Sequence, residues 1–80
     1  MKNNILKKIK PITKLMEEDL MEYHERELLN MEPELAFYTK SSRGLFHRGL
    51  IGVKDHTKGN KTYMIFYITS LGIYYLSKKL

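Results

Sequence analysis

The chain has 80 residues, 42% of them hydrophobic, no cysteine and a formal net charge of +5. A domain of this length buries only about 60–65% of its unfolded surface, and without cysteine neither a disulfide nor a thiolate metal site can reinforce it. His24, His47 and His56 lack the i, i+4 spacing of a metal motif, so no metal or cofactor is expected, and the longest apolar stretch, 63–68, is far below the roughly 20 residues that cross a bilayer.

In chain order, the first segment is basic. Lys2, Lys7, Lys8, Lys10 and Lys14 give residues 1–14 a charge of +5 with no acid. These lysines interrupt the apolar residues, so the segment lacks the continuous apolar core of a secretory signal, and a cytoplasmic, reducing location is the expectation. Ile5, Ile9, Ile12, Met16, Leu20 and Tyr23 recur at helix period, and Pro11 divides them. The pattern predicts a short basic helix or arm over 1–10 and a longer helix from Pro11 to about Leu28. Glu17, Glu18, Asp19, Glu22 and Glu25 fall on the wet face of the second helix. That run reads as a solvated acidic face, and no nucleophile–base pair or phosphate loop accompanies it, so an enzyme is not expected.

Asn30-Met31-Glu32-Pro33-Glu34 has the form of a helix start, with an N-cap residue, early acids and an early proline. It predicts a third helix over about 32–48, with Leu35, Tyr38, Ser42, Leu45 and Phe46 on its inner face and Gly49 as a left-handed C-cap. Gly44 inside that helix marks a close approach or a bend. The period then changes. Leu50 to Lys54 reads as a strand, Asp55 to Lys61 as a polar turn, and Thr62 to Ile68 as a second strand paired with the first. Thr69 or Ser70 caps a final helix reaching Leu80, with Leu71, Tyr75 and Leu76 inward.

Two stretches resemble a known family. Leu45-Phe46-His47-Arg48-Gly49-Leu50-Ile51 looks like the end of a winged-helix recognition helix and the strand that follows it, often L-x-x-x-G-L-I. Tyr67-Ile68-Thr69-Ser70-Leu71-Gly72-Ile73-Tyr74-Tyr75-Leu76 is similar to the signature that closes the wing in MarR-like and PadR-like regulators. The resemblance covers about residues 31–80. It implies a single α+β winged-helix (winged helix-turn-helix) domain over 1–80, with N-terminal helices, a β-hairpin wing and a C-terminal helix. It also implies transcription regulation by binding double-stranded DNA, with helix 32–48 in the major groove and the hairpin, about 50–68, on the adjacent backbone or minor groove.

Charge distribution agrees with that implication. Residues 15–34 carry eight acids against Arg26, a net −7, whereas residues 35–80 carry Lys40, Arg43, Arg48, Lys54, Lys58, Lys61, Lys78 and Lys79 against Asp55, a net +7. Thr39, Lys40, Ser41 and Arg43 lie on the helix side away from its apolar residues, and Arg48 follows in the last turn. The family's recognition positions carry over onto Thr39, Lys40 and Arg43. Arginine can read guanine through two hydrogen bonds, and threonine can meet a thymine methyl or a phosphate. Lys54, His56, Lys58 and Lys61 gather at the expected hairpin tip, where they can meet phosphates. The bland alternatives are an ordinary wet helix face and a soluble turn.

The last strand is apolar on both faces, with Tyr63, Ile65 and Tyr67 alternating with Met64, Phe66 and Ile68. A homodimer covering Tyr63, Tyr67, Tyr74 and Tyr75 would add the core that 80 residues lack. The alternative function uses the same aromatics differently: a winged-helix protein–protein interaction module, working through the hairpin and the C-terminal helix without DNA.

Overall fold

The computed structural model describes residues 9–33 and 35–79, which form a small α+β unit of three helices and a two-stranded antiparallel hairpin. The elements are α1 (Lys14–Leu28), α2 (Lys40–His47), β1 (Ile51–Lys58), β2 (Lys61–Ile68) and α3 (Ser70–Lys79). The expected helix over 1–10 lies outside the described residues except for Ile9 and Lys10, which are not helical.

α1 begins later than Pro11 because Thr13 is the better cap. Its hydroxyl accepts from the Met16 N–H at 3.2 Å. Met16, Leu20 and Tyr23 are buried at helical spacing, as their periodicity requires. The helix ends in a Schellman motif: the Met31 N–H donates to the Arg26 carbonyl at 2.8 Å and the Asn30 N–H to the Glu27 carbonyl at 3.2 Å. Asn30 holds the left-handed position, with φ of 53°. Asn30 thus closes α1, correcting its expected role as the start of the next helix. Asparagine suits both positions, and here the left-handed turn prevails.

The expected helix over 32–48 shrinks to Lys40–His47. A reciprocal capping box sets its start: the Ser42 N–H donates to Thr39 Oγ1 at 3.1 Å, and the Thr39 N–H donates to Ser42 Oγ at 2.7 Å. Upstream the chain is extended. Leu35 forms an isolated antiparallel bridge to Ile65, and the Ala36 N–H donates to the Met64 carbonyl at 2.9 Å. Leu35 and Tyr38, expected on an inner helix face, therefore precede the helix and lie along the β2 edge.

α2 also ends in a Schellman motif. Gly49 has φ of 74°, its N–H donates to Phe46 at 3.0 Å, and the Leu50 N–H donates to Leu45 at 3.1 Å. Leu45 and Leu50, the apolar pair that accompanies this motif, are both fully buried. The L-x-x-x-G-L spacing is thereby a helix stop whose two leucines enter the core.

The hairpin is longer than expected and its turn shorter. Pairing runs from Ile51↔Ile68 to Lys58↔Lys61, leaving only Gly59 and Asn60 as the turn. Gly59 has φ of 65°, the first-position requirement of a type II′ hairpin turn. Side chains alternate across the ribbon. One face carries Ile51, Val53, Asp55, Thr57, Thr62, Met64, Phe66 and Ile68, and the other carries Gly52, Lys54, His56, Lys58, Lys61, Tyr63, Ile65 and Tyr67.

The core joins Met16, Leu20 and Tyr23 of α1 and Leu45 of α2 to Leu50, Ile51, Phe66, Ile68 and Leu76, with Leu71 and Tyr75 packed against it. Thr69 closes the circuit. Its hydroxyl donates to the Gly49 carbonyl at 2.7 Å and accepts from the Gly72 N–H at 3.0 Å, so it caps α3 while tying it to the end of α2. A Cβ on Gly72 would lie 2.3 Å from the Leu50 carbonyl oxygen. The T-x-x-G pair thus combines a cap with the close approach of α3 to backbone.

Candidate nucleic-acid interface

The eight residues of α2 separate into an inner and an outer surface. Ser41, Ser42 and Leu45 are buried, whereas Lys40, Arg43, Phe46 and His47 are exposed. Lys40, Arg43 and His47 recur at helical spacing and form one ridge. No acid occupies the first turn of this helix.

Ser41 does not share the ridge. Its hydroxyl donates to Asp19 Oδ2 at 2.5 Å, a bond that joins α2 to α1. Both expectations for this pair change: Ser41 faces the protein, and Asp19 leaves the wet acidic face to anchor it. A serine is small enough to sit between two closely packed helices, and its hydroxyl needs a partner there. Thr39 is exposed, but its side chain is engaged in the cap.

Arg48 is also turned inward to structural work. Its guanidinium donates to three carbonyls: Lys10 at 3.1 Å through Nε, Pro11 at 3.1 Å through Nη2 and Gly44 at 2.9 Å through Nη1. It thereby fastens the segment before α1 to the last turn of α2. Gly44 is the close approach that the sequence marked, since a Cβ there would stand 2.7 Å from Met16 Cε of α1.

The four basic residues of the hairpin share one face. Lys54, His56, Lys58 and Lys61 alternate in register with Tyr63 and Tyr67. Lys58 Nζ meets Glu32 Oε1 at 3.2 Å, a surface ion pair between exposed side chains and therefore a weak tie. The Lys54 ammonium stands 5.0 Å from the Tyr67 ring centre. That ring also covers Gly52, where a Cβ would meet the phenol carbon and oxygen at 2.6 Å. Between this face, the end of α1 and the 30–33 linker lies an open cleft of about 300 Å³, lined by Tyr23, Arg26, Met31, Lys54, His56 and Tyr67 among others.

The tyrosines expected at a dimer interface are all half-buried. Tyr67 packs over Gly52, Tyr63 stands opposite His56, Tyr75 packs against the core and Tyr74 lies 5.4 Å beneath the Lys78 ammonium.

One exposed set of side chains carries no signal in the sequence. Phe37, Tyr38, Phe46 and Met64 are all exposed, and the Tyr38 and Phe46 rings meet edge to face at 5.8 Å on the side of α2 next to its ridge. The sequence pattern puts Phe37 and Tyr38 inside a longer helix, and the Thr39-x-x-Ser42 box that expels them lacks the usual acidic or amide fourth residue.

Among the described residues there is no cluster of three His, Cys, Asp or Glu side chains able to hold a metal, and no helix long and apolar enough to cross a membrane. Comparison with protein-family models, curated proteins and solved structures finds no significant match to this chain.

Proposed function

We propose that the chain is a winged-helix domain that binds double-stranded DNA as a small cytoplasmic transcriptional regulator, working as a homodimer. The observation that carries this reading is the α2 ridge. Lys40 and Arg43 stand exposed on a short helix that has no acid in its first turn and is anchored to α1 by the Ser41–Asp19 bond. A helix presented this way fits a major groove, where Arg43 can address guanine and Lys40 a phosphate.

Element order and charge support the same reading. The helix leads directly into a protruding two-stranded hairpin with Lys54, His56, Lys58 and Lys61 on one face. The bridge from Leu35 to Ile65 adds the beginning of a third strand on the β2 side. In this role the hairpin is the wing, with its lysines on the neighbouring backbone. A dimer would then address two half-sites about one helical turn apart.

The test is a gel shift with mixed-sequence duplex DNA at low salt. The wild type retards the duplex, and a Lys40→Ala/Arg43→Ala/Lys58→Ala variant of unchanged circular dichroism does not. Equal retardation by both proteins, or none by the wild type, refutes the reading.

A further inference from the structure

We infer that the surface beside the α2 ridge is a stacking platform for unpaired bases, so that the preferred partner is duplex DNA next to a single-stranded stretch. This rests on the duplex-binding reading and specifies which DNA that site takes.

Three observations and one property of duplex DNA meet here. The first is exposure: Phe37 is 72% exposed and Met64 58%, with Tyr38 and Phe46 also open to solvent. Several large apolar side chains left open on so small a domain mark a contact site. The second is rigidity. Buried Phe66 meets Tyr38 edge to face at 5.3 Å, and Tyr38 meets Phe46 at 5.8 Å, so these two open rings are backed by the core. The Phe37 carbonyl accepts from Ser42 Oγ at 3.1 Å, and the neighbouring Ala36 N–H is tied to Met64. The chain is thus held in the position that turns Phe37 outward.

The third observation is charge. Arg43 and Phe46 are three residues apart on one helix, hence side by side, and Lys40 directly follows the Phe37-Tyr38-Thr39 run. Cations beside open aromatic rings suit a polyanion that also offers flat π faces, which is the chemistry of single-stranded nucleic acid. The fourth is what a duplex does not offer freely. Its bases are stacked on one another, so a projecting ring reaches a base face there only by unstacking a step at a cost of about a few kcal/mol, whereas an unpaired base offers its face without that cost. Asp55, which pairs with Met64 across the ribbon, is the acid on this side of the hairpin. It directs the phosphate path toward the Lys40 and Arg43 side.

The test uses fluorescence anisotropy with three labelled DNAs of shared sequence: a blunt duplex, the same duplex with an overhang of about eight unpaired bases, and the single strand. The overhang DNA binds about tenfold or more tighter than the blunt duplex, the worth of one or two stacked bases. Phe37→Ala abolishes the difference while leaving blunt-duplex affinity within about twofold, and Phe37→Tyr restores it. The chain has no tryptophan, so Phe37→Trp supplies a single indole probe. Its emission is quenched by the overhang DNA and not by the blunt duplex. Equal affinity for blunt and overhang DNA, without quenching, overturns the platform and leaves the duplex reading standing. Absence of binding to all three DNAs overturns both. A dimer seen in sedimentation that Phe37→Ala dissolves assigns the surface to a second copy of the chain and also overturns the platform.

Discussion

Replacing Gly72 with alanine should destabilise this protein, against the usual direction for a glycine inside a helix. Propensity alone would favour alanine by about 1 kcal/mol. At this position the new Cβ meets the Leu50 carbonyl oxygen at 2.3 Å, the Leu50 carbonyl carbon at 3.2 Å and Ile68 Cγ1 at 2.7 Å. The carbonyl belongs to backbone and cannot swing aside, so α3 must move away from the end of α2. Overpacking of this kind costs about 1–3 kcal/mol. The same carbonyl accepts from the Thr69 N–H at 3.1 Å, and losing that bond adds about 1 kcal/mol. The balance is a loss of about 1–3 kcal/mol, from a total of about 4–12 kcal/mol expected at this length. Urea unfolding followed by far-ultraviolet circular dichroism measures it, with a fall in Tm of about 5–20 °C in a parallel thermal scan. Gly44→Ala is the internal control. Its Cβ would meet Met16 Cε at 2.7 Å and Arg48 Nη1 at 3.1 Å, both far ends of flexible side chains and neither of them backbone, so its change stays within about 1 kcal/mol of zero. A Gly72→Ala protein as stable as the wild type, or less affected than Gly44→Ala, refutes the packing account.

Substitutions at four further positions separate structural polar groups from binding ones. Arg48→Ala removes three bonds to carbonyls and should lower stability by about 1–3 kcal/mol in urea unfolding. Its DNA affinity should follow the folded fraction alone. Ser41→Ala and Asp19→Ala should each destabilise by about 1–2 kcal/mol and show a coupling of about 1 kcal/mol or more in a double-mutant cycle, whereas additive losses would deny the bond between α2 and α1. Thr39→Ala dismantles the capping box and should cost about 1–2 kcal/mol. Thr39→Ser, which keeps the hydroxyl, should recover most of that loss.

What the sequence makes legible here is punctuation with a single geometric meaning. Gly49 followed by Leu50, four residues after Leu45, can only close a helix against an apolar neighbour. Thr69 three residues before Gly72 encodes a cap and a close approach at once, and both occur in the structure. Asn30 is ambiguous in the sequence because one side chain serves an N-cap and a left-handed C-terminal turn equally well. The hairpin tip resembles a loop in the sequence because Asp55 to Lys58 projects beyond the core. Alternation of apolar and polar residues fades where neither face is buried. The Gly59-Asn60 pair and the facing Thr57 and Thr62, whose hydroxyls lie 3.2 Å apart, were the signals that remained.

The candidate site was legible by half. Charge and spacing singled out Lys40, Arg43 and the hairpin lysines, which the fold leaves on the surface. They could not distinguish Arg48, whose charge is spent on carbonyls of its own chain, or Ser41, whose size lets it serve as a tie between helices. Such assignments depend on what lies across a tertiary contact, and helix periodicity carries none of that. The aromatic flank was missed for the related reason that exposed Phe37 and buried Phe66 are indistinguishable in composition.

The most direct test of duplex binding by the α2 ridge is the salt dependence of affinity. The logarithm of the association constant for a blunt duplex is measured against the logarithm of salt concentration for the wild type, Lys40→Ala/Arg43→Ala and Arg48→Ala. Each phosphate contact removed lowers the magnitude of the slope by about 0.9. A loss of about 0.9, from the Lys40 phosphate contact, is predicted for the double variant, with no change in slope for Arg48→Ala. A double variant with the wild-type slope, or a wild type with no affinity at low salt, would contradict the account.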